Sequence, residues 1–118
     1  MRQRYVIIPM IIGIALFVSL SVYTRLTRDN ISPRIEIPEE SVTYKEGSDT
    51  SELLEGVSAW DNVDDNITEF VRVDSVIPNE DYKSAVVTYA VYDSSNNVGK
   101  ITRTVKYIPL EKEEEEDE

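Results

Sequence analysis

Asp61, Asp64, Asp65 and Asn66 crowd one short stretch of the chain, and Asp93, Asn96 and Asn97 form a second polar cluster further along. Side-chain oxygens gathered on loops suit Ca²⁺, which takes about six to eight oxygen ligands at roughly 2.3–2.6 Å. Asp61, Asp64, Asn66 and Asp93 are the candidate ligands. Their spacing departs from the EF-hand pattern, whose roughly 12-residue loop needs a central Gly and a closing Glu. The same residue types also build turns, because Asp and Asn side chains accept hydrogen bonds from nearby backbone N–H groups. Metal binding and turn formation both remain open at this level. Paired carboxylates could also serve as acid and base in glycoside hydrolysis. A small strand-rich segment offers little room for a substrate cleft, so no catalytic residue is assigned and the chain reads as a non-enzyme.

Trp60 is the second candidate. It lies between Ala59 and Asp61, so strand alternation puts it on the face opposite Ala59. With Ala59 inside, the only Trp of the chain is outside, where it could anchor a protein interface or stack on a sugar ring. Covering a sheet edge is the plainer role for such a residue.

Composition removes several classes of chemistry. The chain has 118 residues, 12 Lys+Arg, 23 Asp+Glu, no His and no Cys. A disulfide, a thiolate zinc site, a Cys nucleophile and a His-based triad are all excluded. The net charge of −11 argues against nucleic acid as a partner, because phosphates call for a basic face.

The charge is uneven. Residues 1–28 carry four Arg and no acid, residues 29–109 carry seven basic and 16 acidic side chains, and residues 110–118 carry one Lys and seven acids. Within the basic head, residues 1–4 precede an uncharged run from Tyr5 to Thr24, bounded by Arg4 and Arg25. At about 1.5 Å rise per residue such a run spans a bilayer core of roughly 30 Å, with Tyr5 and Tyr23 at the interfaces. It is longer than the apolar core of a cleaved signal, and Ser19-x-Ser21 is a poor cleavage site. An uncleaved anchor is therefore expected, with residues 25–32 as linker. The short basic head favours N-terminus inside and C-terminus outside. The acidic run in 110–118 reads as a disordered, solubilising tail.

From residue 33 to 109 the helical period gives way to alternation. Strands are expected at 34–37, 41–44, 57–60, 67–76, 84–92 and 100–108, with a single helical turn at 51–54. Asp93-Ser94-Ser95-Asn96-Asn97 supplies hairpin chemistry between the last two strands. Six or seven short strands in this length predict an all-β domain, a β-sandwich, behind one N-terminal membrane helix. A core this small has modest stability, which a metal ion or neighbouring domain would raise.

Val57-Ser58-Ala59-Trp60-Asp61, Asp64-Asp65-Asn66-Ile67-Thr68 and the run Val87 to Asn97 resemble a bacterial immunoglobulin-like family. It recurs in Gram-positive surface proteins and pesticidal crystal proteins, and is more distantly similar to hyalin-repeat and cadherin-like modules. Its pattern runs roughly v-x-A-x-D, D-G-D-I-T, then Y-x-V-x-Y-x-a-x-D-x-x-G-N. Ala59, Asp61, Asp64, Ile67, Thr68, Val87, Tyr89, Asp93 and Asn97 match it. Asp65 and Asn96 stand where the family has Gly, and Asn66 and Ala85 also depart. The resemblance implies an immunoglobulin-like fold and an extracytoplasmic setting, and no single function. The expected role is binding or spacing at the bacterial surface, with a protein or cell-wall glycan as partner. The alternatives are an accessory subunit acting through its membrane helix and a calcium-binding surface domain.

Overall fold

A computed structural model describes residues 2–111. The acidic tail expected to be disordered lies, from residue 112 on, outside the described residues. The chain divides into two compact units between Asn30 and Ile31.

The first unit is a single helix, α1, Arg4–Thr27. It is long and apolar enough to cross a membrane, and none of it is buried within the protein. The helix continues past the apolar run. Thr24 and Thr27 lie within its last turns and donate their hydroxyls to the carbonyls of Ser21 and Tyr23. Apolar length sets how much of a helix can sit in lipid, whereas backbone hydrogen bonding sets where it ends.

The second unit holds seven strands: β1 (Arg34–Glu36), β2 (Thr43–Lys45), β3 (Ser58–Asp61), β4 (Asp65–Asn66), β5 (Arg72–Pro78), β6 (Ser84–Tyr92) and β7 (Val98–Ile108). They form a three-stranded sheet in the order β1-β3-β4 and a four-stranded sheet in the order β2-β7-β6-β5. Both sheets contribute to one core. Ile35 and Ala59 come from the first, and Val87, Tyr89, Val91, Val105 and Tyr107 from the second. The expected two-sheet architecture with an N-terminal helix is therefore present.

β6 follows the alternation expected of it, with Ala85, Val87, Tyr89 and Val91 fully buried. Tyr89 is the largest of these, and its hydroxyl donates to the Leu53 carbonyl at 2.7 Å, so its polar end is satisfied inside the core. On β5, Val73 and Val76 both pack against the core despite an odd offset. A register shift between Val73 and Ser75 accounts for this, because the extra residue of a bulge turns the following side chains over.

Two features depart from the sequence reading. The stretch expected as one strand over 67–76 begins with a 3₁₀ turn, Thr68–Phe70, and only then becomes β5. The Asn66 side chain accepts from Thr68 N and starts that turn. Thr68 Oγ1 in turn accepts from Ala59 N at 3.1 Å, taking the place of a ladder carbonyl beside β3. The second feature is a parallel pair. β2 runs parallel to β7, with Tyr44 opposite Tyr107 and their rings stacked at 6.3 Å. The segment after β1 thus leaves the first sheet and joins the second. The helical turn expected at 51–54 falls at Thr50–Leu54, with Asp49 as its cap, accepting from Ser51 N.

Candidate functional site

The polar residues singled out in the sequence converge at one end of the sandwich. Asp61 closes β3 and Asp93 follows β6. A carboxylate oxygen of Asp61 and one of Asp93 lie within 4.8 Å of each other, and the two residues are only 7% and 6% exposed.

Most of the acceptors here make turns. Asp61 Oδ2 accepts from Val63 N and Asp64 N. Asp93 Oδ1 accepts from Ser95 N and Asn97 N, and its Oδ2 from Asn97 Nδ2. The backbone closes the same hairpin, Asn97 O accepting from Asp93 N and Asp93 O from Asn96 N. Asn96 takes φ +63° and Asp65 takes φ +59°. Those are the positions where the resembling pattern carries Gly, and Asn and Asp are the other residues that visit this region readily.

Asp64 does not join Asp61 and Asp93. It reaches across to the hairpin instead, accepting Ser94 N at 2.6 Å and Ser94 Oγ at 2.7 Å. Asn66 is committed through Oδ1 to Thr68 N. The four candidate ligands thus separate into a buried pair, Asp61 with Asp93, and two residues that shape the loops around it.

Beside them is a hollow of about 440 Å³ lined by Asp64, Asn66, Ile67, Phe70, Tyr92, Asp93 and Ser94. Phe70 and Tyr92 are 55% and 60% exposed. Trp60 is 51% exposed, on the face opposite fully buried Ala59, as alternation requires. It pairs with Asn66 across β3 and β4, so the two side chains share a face. Asn66 is therefore the link between Trp60 and the hollow. Phe70, Tyr92 and Ser94 were not legible as site residues. Tyr92 sits on the outward phase of β6, which is a signal of exposure, but Phe70 is placed by a 3₁₀ turn that alternation does not reveal.

The fold and the site define a two-sheet β-domain with clustered loops at one end, following an apolar N-terminal helix. No protein-family model matches the chain, and no curated protein matches it. Solved structures similar to it include two from Clostridium perfringens ZmpB. One is CBM51-2 in complex with GlcNAc and INT domains from Clostridium perfringens ZmpB, 28% identical with a TM-score of 0.49, covering 67% of this chain and 17% of that one. The other is the M60 catalytic domain with the CBM51-1 and CBM51-2 domains from Clostridium perfringens ZmpB, 29% identical with a TM-score of 0.47, covering 67% of this chain and 8% of that one.

Proposed function

We propose that this protein is a non-catalytic module of the bacterial cell surface, anchored by α1, whose immunoglobulin-like sandwich binds glycan at the loop end. The observation that carries this reading is the hollow itself. Phe70 and Tyr92 expose more than half their surface in a concavity shared with Asn66, Asp64 and Ser94. A sugar ring presents an apolar C–H face and a rim of hydroxyls. Aromatic faces suit the first, and amide and carboxylate groups suit the second. Trp60 extends the aromatic surface beyond Asn66.

The same geometry favours binding over turnover. Both oxygens of Asp64 are held by Ser94, and both oxygens of Asp93 accept hydrogen bonds within their own hairpin. Carboxylates engaged in this way brace loops. They are poorly placed to exchange protons with a substrate, as glycoside hydrolysis requires.

The test is cosedimentation of the full chain, in detergent micelles, with purified peptidoglycan sacculi and with soluble oligosaccharides released from them. Tyr92→Ala and Phe70→Ala should each weaken binding about tenfold or more, the scale of losing one stacked ring. Trp60→Ala should weaken it less. Binding that survives the Tyr92→Ala, Phe70→Ala double variant would sink the assignment to the hollow.

A further inference from the structure

Asp61 and Asp93 pose a problem that the glycan reading does not touch. Two buried carboxylates stand within 4.8 Å of each other, where like charges repel and water is excluded. Among the described residues no Lys or Arg forms an ion pair with Asp61. Asp61 Oδ2 serves the turn at Val63 and Asp64. Its Oδ1 is sealed from solvent and has no hydrogen-bond partner. An unmet buried carboxylate oxygen is costly, and a hard cation is a partner that would satisfy it.

We infer that Asp61 and Asp93 hold a Ca²⁺ ion between the β3–β4 loop and the β6–β7 hairpin. Asp61 supplies the open oxygen and Asp93 the second negative charge. Two oxygens each at about 2.4 Å from one Ca²⁺ lie at most about 4.8 Å apart, and the Asp61 and Asp93 oxygens meet that limit. Smaller Mg²⁺ demands near-octahedral geometry at about 2.0–2.1 Å and gives up its water reluctantly, so a buried pair of carboxylates suits it less well. Further ligands would come from loop carbonyls and water, as is usual for this ion. Asp64 is a brace in this arrangement, because its bonds to Ser94 tie together the two loops that present Asp61 and Asp93. The ion would be a structural staple for a small domain with no disulfide.

The experiment is thermal unfolding of the full chain in detergent micelles after chelator treatment, with CaCl₂ or MgCl₂ added back. Ca²⁺ at 100 times its Kd should raise the midpoint by about 10 °C, and Mg²⁺ at the same concentration should do far less. Asp61→Asn keeps an acceptor for Val63 N and Asp64 N but replaces the open oxygen, and should abolish the rise. Asp65→Asn removes an equal charge from an exposed neighbour and should preserve it. A wild-type chain that melts at one temperature with and without Ca²⁺ would overturn the site. Equal stabilisation by both cations that persists in Asp61→Asn would also overturn it, as screening of the net charge of −11. Should Asp61→Asn fail to fold, calorimetric titration of the wild type decides the matter. One Ca²⁺ per chain, unaffected by excess Mg²⁺, supports the site, and no saturable heat refutes it.

Discussion

The Asp64 carboxylate grips Ser94 with both oxygens, one on the backbone N–H at 2.6 Å and the other on the hydroxyl at 2.7 Å. This clamp joins the end of the first sheet to the hairpin of the second. It sets the distance between the Asp61 and Asp93 loops and forms part of the wall of the hollow. Asp64→Ala should destabilise the sandwich by about 1–3 kcal/mol, the range for losing hydrogen bonds to a charged group. Asp64→Asn, which keeps one acceptor, should cost less. Chemical denaturation of the two variants, compared at constant m-value, reads the difference.

Gly99 is where the first sheet's leading segment crosses β7. A Cβ built there would stand 2.2 Å from the Pro33 carbonyl oxygen, too close for any side chain to be accommodated without backbone movement. Glycine within a strand commonly marks such an approach. Gly99→Ala should cost about 1–3 kcal/mol and displace the segment entering β1. Gly13, whose added Cβ would meet nothing within 4 Å, should accept Ala without changing the melting of the sandwich.

The β5–β6 turn stores strain at an exposed position. Tyr82 takes φ +53°, an unfavourable region for a bulky L-residue. It is held there by Tyr82 N donating to Asn79 O and Asn79 N donating to Ser84 O, and by Asp81 accepting from Lys83 N and Ser84 N. Tyr82→Gly should stabilise the domain by about 1 kcal/mol in a denaturant melt. The hydrogen bond from Lys83 N is the main influence holding the Asp81 carboxyl below its ordinary value of 3.8. Its contribution is present above that value and is lost as pH falls through the lower folded value.

At the alkaline end the sign reverses. Burial, followed by the hydrogen bond to the Glu46 carboxylate, raises Tyr107 above its ordinary value of 10.0. The folded state therefore favours the protonated phenol. Its contribution is complete below pH 10 and declines as pH rises from there through the folded value. Tyr107→Phe should flatten that decline in a stability profile taken from about pH 8 to 12. An unchanged alkaline slope would place the titrating group elsewhere.

The apolar head, the outward placement of Trp60, the extent of β6 and the hairpin at 93–97 were all written in the sequence, because each rests on a local property. Hydrophobic run length, strand alternation and the turn preferences of Asn and Asp act over a few residues. Tertiary structure decided the rest. The parallel seat of β2 on β7 depends on residues far apart in the chain, as does the bulge that lets both Val73 and Val76 face the core. The division of four polar candidates into a buried pair and two braces depends on which loops the two sheets bring together. Asp61, Asp64, Asn66 and Asp93 look alike in the sequence. Only packing seals Asp61 Oδ1 from water while giving both oxygens of Asp64 to Ser94, because burial and hydrogen-bond supply are properties of the assembled sandwich and not of residue type.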